Sequence, residues 1–198
     1  MECYLIRHTQ PDVAVGTCYG RLDLPLSADF AEQAKPLEAL VRNMSPNQVY
    51  SSPAQRCLLL AQKLTTTPLI EPSWSEFDFG DWEGRLWCDI EKGDIEQWND
   101  NLVHHRLPNG ESLEVFHQRV VKAWFALCNS KDNVDSKIVI VTHAGVIRSI
   151  VASLLGIPLE NSVQLGLAYG SVTKVICQGK YCRLDYLNRL PDKKLDCT

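Results

Sequence analysis

The chain has 198 residues, 45% of them hydrophobic, with 20 Lys and Arg against 24 Asp and Glu for a net charge of -4. That length supports one well-buried domain and is short for two, so residues 1–198 read as a single domain. The acidic balance argues against nonspecific nucleic-acid binding, and any anion pocket has to be a local positive site.

The first segment, Cys3-Tyr4-Leu5-Ile6-Arg7-His8-Thr9, is an apolar run that passes without a spacer into an arginine and a histidine. It reads as a buried strand delivering two charge-capable side chains to its C-terminal end, the edge where open α/β sheets place their chemistry. Met1-Glu2-Cys3-Tyr4 contains no basic stretch leading into a long apolar one, so a signal peptide is not expected. Thr9 to Ser27 is rich in Gly, Pro and Asp and should lie as a loop over the strand end. Ser27 is placed to cap a helix whose Phe30, Ala34, Leu37 and Val41 share one buried face, and Pro36 should kink or split it. Val49-Tyr50-Ser51-Ser52-Pro53 is a second strand-to-turn passage, with Arg56 on the first turn of the helix that follows. That helix is expected to bury Leu58, Leu59, Ala61 and Leu64. Cys57 reads as a small packed residue, because nothing nearby in sequence supplies it with a base.

Leu69-Ile70 is a short strand, after which the segment from Glu76 to about Gly110 carries several Trp and acidic residues with weak periodicity. We read it as a cap insertion over the catalytic edge, about 77–112. No carboxylate triad accompanies the pair His104-His105, and adjacent side chains seldom point the same way, so a solvated or cap-lining role is expected rather than a metal site. Ser112 caps a helix with Val115, Phe116, Val120, Ala123, Trp124 and Leu127 on its apolar side. Ile138-Val139-Ile140-Val141-Thr142-His143-Ala144-Gly145 is the strongest strand signal and again ends on a histidine. A helix from Val146 to Leu155 should follow and stop at Gly156 and Pro158; Arg148, Ser149 and Ser153 interrupt it too often for a membrane span. Val172 to Cys177 and Tyr181 to Leu187 read as an antiparallel edge hairpin, and the tail from Pro191 to Thr198 should fray. The eight cysteines, Cys3, Cys18, Cys57, Cys88, Cys128, Cys177, Cys182 and Cys197, show no CxxC pair and read as reduced thiols of a cytoplasmic protein. Strands alternating with helices predict a three-layer α/β/α fold with a mostly parallel central sheet, whose C-terminal edge gathers His8, Arg56 and His143.

Singly, an arginine or histidine at a strand end is usually a solvated or hydrogen-bonded residue. Two strands ending on His and a third leading to Arg make coincidence the weaker account. The set Leu5-Ile6-Arg7-His8, Tyr50-Ser51-Ser52-Pro53-Ala54-Gln55-Arg56, Glu76 to Gly84 and Val141-Thr142-His143-Ala144-Gly145-Val146 resembles the phosphoglycerate mutase-like histidine phosphatase superfamily, in the family's order. Cys18 to Ser27 and the acidic-aromatic Glu76 run look most like the α-ribazole phosphatase branch, associated with cobalamin assembly.

The resemblance implies a metal-independent phosphomonoester hydrolase with no cofactor. In it His8 attacks phosphorus to form a phosphohistidine, and Glu76 donates and later accepts a proton, with Asp78 and Glu83 as local rivals. Arg7, Arg56 and, if protonated, His143 hold the phosphate oxygens, with the Thr9 hydroxyl as a further candidate. A protonated His8 could not attack, so the pocket must keep one ring nitrogen bare, through a backbone hydrogen bond to the other. Many relatives follow Arg-His with Gly, then a hydroxyl residue and an Asn, where this chain has Thr9, Pro11 and Ala14; loop contacts to phosphate therefore differ. Arg21, Arg85, Asn109 and His104 are candidate contacts beyond the phosphate, and of the cap tryptophans only Trp82 lies within the motif.

The expected partner is a small-molecule phosphate ester, with neither nucleic acid nor membrane, and the oligomeric state is open. The leading substrate is α-ribazole 5′-phosphate. The alternatives are another small phosphate ester or sugar phosphate, or a catalytically weak module that binds phosphorylated ligands. Mutase activity is disfavoured because the cap lacks a second phosphate clamp.

Overall fold

The computed structural model describes residues 1–179 and 181–191; of the tail expected to fray, all but Pro191 lies outside the described residues. Four short apolar segments, β1 (Glu2–Arg7), β2 (Gln48–Ser51), β3 (Leu69–Ile70) and β4 (Lys137–Thr142), pair in parallel. The hairpin of β5 (Val172–Gln178) and β6 (Tyr181–Arg189) completes a six-stranded sheet, joined through β5 antiparallel to β1. The strand order is β3-β2-β4-β1-β5-β6.

Alternation along the strands decides which residues meet which helices. Cys3 and Leu5, in register with Ile138 and Ile140, face α4 (Leu113–Asn129) and α5 (Ala144–Leu155) through Phe116, Val120, Trp124, Ile147 and Ile150. Tyr4 and Ile6, beside Val139 and Val141, face α1 (Phe30–Met44) and α2 (Gln55–Leu64) through Ala34, Leu37, Val41, Leu60 and Ala61. The result is the expected three-layer α/β/α arrangement. β1 hands the chain to α1 on one face and β4 hands it to α5 on the other. A crevice therefore opens between the C-terminal ends of these neighbouring strands, the position where such sheets bind ligands.

Several local expectations change. Ser27 is not the cap of α1: the helix starts at Phe30 with Asp29 before it, and the Ser27 hydroxyl donates instead to the Asp29 carboxylate. Pro36 does not split α1, which runs on to Met44. A single missing donor is outweighed by Ala34, Leu37 and Val41 packing on the sheet. α2 buries Arg56, Cys57, Leu60 and Ala61 rather than Leu58, Leu59 and Leu64, because its inward face includes the guanidinium, which a hydrophobic pattern cannot register. In α4, Ser112 caps as expected through Val115 N–H, but the Val115 side chain is 50% exposed.

The expectation of free thiols throughout also fails. Cys177 and Cys182 stand directly opposite in the β5–β6 register and form a disulfide, while Cys3, Cys18, Cys57, Cys88 and Cys128 are free. Cys128 Sγ lies 3.8 Å from Cys177 Sγ, but with its two neighbours bonded to each other the trio is not an open metal-ligand set. Among the described residues no helix is long and apolar enough to cross a membrane.

Candidate active site

Backbone hydrogen bonds stitch the strand ends together before any side chain is considered. His8 N–H donates to Thr142 O, Ser52 N–H to Val141 O, and Gly170 N–H reaches both Arg7 O and His8 O. His8 and His143, distant in sequence, thereby come to a ring-centroid separation of 5.2 Å, edge to face.

His8 is buried, and its Nδ1 lies 2.7 Å from Thr9 O. A carbonyl can only accept, so Nδ1 carries the proton and Nε2 is bare. Burial, then the Arg56 charge, holds His8 well below the usual histidine range. It is therefore a neutral imidazole with one free lone pair.

Arg56 is 0% exposed. It donates to the carbonyls of Leu22 and Gly20 and, at 3.2 Å, to Nδ1 of His143. With Nδ1 accepting, the His143 proton sits on Nε2 and points to Ser52 Oγ at 2.8 Å. Burial, with Arg56 next, keeps His143 well below its ordinary value. The condition left open for His143, that it be protonated, is not met in the free site: a guanidinium against its ring disfavours a second positive charge.

Glu76 meets the start of α5. Its carboxylate accepts from Gly145 N–H and Phe77 N–H, each at 2.9 Å. A Cβ on Gly145 would lie 2.1 Å from Glu76 Oε1, so a side chain there would push the carboxylate out of this position. Behind it, Arg119 of α4 donates to the carbonyls of Ser73, Ser75 and Glu76 and to the Glu111 carboxylate, bracing the segment that carries Glu76.

A cavity of about 330 Å³ opens on this edge, lined by Arg7, His8, Arg56 and Glu76 at one end. Toward the other end its walls are Phe79, Trp87, Trp98, Leu102, Leu159 and Val163. Three guanidiniums, Arg7, Arg56 and Arg148, face it against the single carboxylate of Glu76. Such an excess positive charge in an acidic chain is what a phosphate dianion requires. His143 lies behind this cavity and lines a smaller one with Ser52 and Glu76.

Of the remaining expected site residues, Arg21 lines the smaller cavity beside His143, and the others line neither cavity. The Thr9 side chain is fully buried with an unpartnered hydroxyl and does not line the main cavity; the residue contributes its carbonyl, to His8. Arg21 is held by Asp78 at 3.2 Å and Glu111 at 2.5 Å. Arg85 bonds Asp89 O, Asn109 bonds the Asp81 carboxylate, and exposed His104 pairs with Glu114. Each has a partner of its own within the 76–114 segment or on the loop beneath it, and none of the four lines the main cavity. Trp82 is likewise buried, packed edge to face against Trp87 and Trp98, and it is these two that line the cavity.

Several lining or supporting residues were missed. Arg148 had a readable signal, standing one helical turn beyond Ala144 on α5 and so on the same face. Its Nε donates to Leu165 O, and it makes no ion pair among the described residues. Ser149, also on the cavity wall, bonds His117 at 2.7 Å. Tyr169 carried no signal, and Tyr19, though within the Cys18 to Ser27 run, gave none of where its ring would lie, because each is in a loop whose course the sequence does not reveal.

The family model of the histidine phosphatase superfamily, branch 1, matches residues 3–190. Over 195 residues the chain is 32% identical to a protein of Hydrogenobacter thermophilus provisionally named phosphoserine phosphatase 2, covering 94% of this chain and 95% of that one. Over 197 residues it is 30% identical to the adenosylcobalamin/alpha-ribazole phosphatase of Escherichia coli, covering 95% and 96%. The crystal structure of the alpha-ribazole phosphatase from Shigella flexneri superimposes with a TM-score of 0.84 at 31% identity over 96% of each chain. Since the family match runs from the first strand to the last and takes in both histidine-bearing strand ends, the chain belongs to the histidine phosphatase superfamily, branch 1, and is a phosphatase.

Proposed function

We propose that the chain hydrolyses a small phosphomonoester through a phosphohistidine on His8. The observation that carries this reading is the Nδ1–H bond from His8 to Thr9 O, which leaves Nε2 unprotonated and available at the charged end of the cavity. The Nε2 lone pair attacks phosphorus in line as the bond to the ester oxygen breaks, and Glu76, as the general acid, gives a proton to the departing alkoxide. Glu76 then takes a proton from water as that oxygen attacks phosphorus; the N–P bond breaks, its electron pair returns to Nε2, and inorganic phosphate leaves. Arg7 and Arg56 hold the equatorial oxygens, and His143 gains the proton it lacks in the free site once a dianion lies beside it. The guanidiniums supply the charge neutralisation, so EDTA leaves turnover unchanged.

The segment 77–112 acts as the cap of the leaving-group seat. Its aromatic wall of Phe79, Trp87 and Trp98 favours a leaving group with a flat apolar face, and α-ribazole 5′-phosphate, with its benzimidazole, is our leading substrate. Arg148 favours a second reading, an ester whose leaving group carries a carboxylate, such as phosphoserine. Catalytic efficiency on α-ribazole 5′-phosphate, phosphoserine, 3-phosphoglycerate and sugar phosphates separates them: preference for the first supports the leading reading, and preference for the acids overturns it. No turnover of any of these or of p-nitrophenyl phosphate would end the phosphohistidine proposal itself.

A further inference from the structure

Arg7 and Arg56 carry the charge at the phosphate end, and what holds each of them is neutral. Arg7 donates from Nη1 to Leu167 O at 2.5 Å and lies on the ring of Tyr169, its Cζ 3.8 Å from the centroid. Arg56 is bound by the carbonyls of Leu22 and Gly20 and has Tyr19 beside it, 5.5 Å from Cζ to ring centroid. Tyr19 belongs to the loop after β1 and Tyr169 to the loop before β5, yet their hydroxyl oxygens are 2.5 Å apart. Tyr169 also stands 5.6 Å from the His8 ring.

The choice of neutral partners has a physical consequence. A carboxylate would orient a guanidinium equally well but would cancel the charge that a dianion needs. A ring face fixes the guanidinium plane and leaves the in-plane N–H donors pointing outward, where oxygens are bound. Burial, followed by the bond to Tyr169, holds the Tyr19 phenol above its ordinary value, so Tyr19 stays uncharged beside Arg56.

We propose that Tyr169 and Tyr19 are positioning residues: a hydroxyl-linked pair that sets the planes of Arg7 and Arg56 before the ester arrives and ties the loop of residues 9–27 down over the phosphate end. This rests on the reading that the two arginines hold the phosphate.

The test measures competitive inhibition of the full-length protein by inorganic phosphate, together with kcat, KM and the thermal midpoint. Tyr169→Leu is expected to weaken phosphate about tenfold and to raise KM more than it lowers kcat. Tyr169→Phe and Tyr19→Phe each lose about two- to threefold, and the double Phe variant loses no more than either, since both remove the same contact. In an Arg7→Met background Tyr169→Leu costs no further affinity. A tyrosine serving only the fold would lower the thermal midpoint and weaken phosphate equally in both backgrounds, and that outcome overturns the proposal. So does unchanged phosphate affinity in Tyr169→Leu, or, should that variant not fold, additive losses in the Phe cycle. Unchanged affinity in Arg7→Met is a different failure: it removes the phosphate seat itself and the pair's role with it.

Discussion

The two ends of the cavity are built on different terms. At the phosphate end, His8 and His143 are set at the ends of strands whose backbones are bonded to each other, and Arg56 is clamped between two carbonyls and a ring nitrogen. At the leaving-group end, Trp87, Trp98 and Leu102 come from short turns and from α3 (Lys92–Asp100) and its flank, with Trp87 and Trp98 stacked at 5.9 Å and each edge to face with Phe79 and Trp82. A rigid end serves a reaction that tolerates no displacement of the reacting atoms, while an end made of packed side chains can be redecorated without disturbing the first. Relatives whose names cite different substrates, phosphoserine and α-ribazole, fit that division.

Substitutions of the reacting groups at the phosphate end should therefore act on kcat, and those in the aromatic wall at the other end on KM. The largest effect is expected for His8→Ala, which removes the attacking nitrogen and should lower kcat on p-nitrophenyl phosphate by about 10⁴-fold or more, measured by phosphate release. Glu76→Gln should cost about 10²- to 10⁴-fold in kcat. Gly145→Ala should reproduce much of that loss with Glu76 still present, because the added Cβ occupies the carboxylate's place. If Gly145→Ala left kcat intact, the rigid end would be more forgiving than its geometry says. Trp98→Ala should raise KM for the preferred aromatic ester roughly tenfold with kcat nearly unchanged. A kcat loss as deep as that of Glu76→Gln would erase the distinction between the two ends.

A further prediction concerns acid. His8 and His143 are both held well below 6.5 by burial and by Arg56, in that order. Neither affects stability above about pH 6.5, where both folded and unfolded forms are neutral. As pH falls from there, the unfolded chain takes up protons that the folded site refuses, and stability drops by up to about 1.4 kcal/mol per pH unit for each histidine. Urea midpoints between pH 7 and pH 5 should show this slope, and His8→Ala should make it shallower. The smallest effect is expected for Arg85→Ala and His104→Ala, both engaged elsewhere on the surface, which should leave kcat/KM within about twofold.

The same division governs how much was legible in the sequence. An apolar run fixes the position of the residue that follows it, so Arg7, His8 and His143 could be placed at a common edge from pattern alone. Glu76 was reached by resemblance, and the glycine that admits it was visible in the motif but unexplained until the two were seen to touch. In the cap, Arg21, Arg85, Asn109 and His104 looked like ligand contacts because they are polar and near the motif, yet in three dimensions each has a partner of its own. Nothing in local periodicity tells whether a loop side chain turns toward a cavity or toward its neighbours, and the same ignorance hid Tyr169 and the pairing of Cys177 with Cys182. The buried face of α2 was misread for a related reason: its most important inward residue is charged.

The order of strands in the sheet also constrains when this enzyme comes into being. β1 and β2 never touch; β4, made long after both, is the strand between them. A growing polypeptide that has not yet reached Lys137 therefore holds two strands with bare edges and no crevice, a species exposed to aggregation until the late strand threads into place. A chain truncated before Lys137 lacks both His143 and the strand that joins the two halves of the crevice, and is expected to release no phosphate.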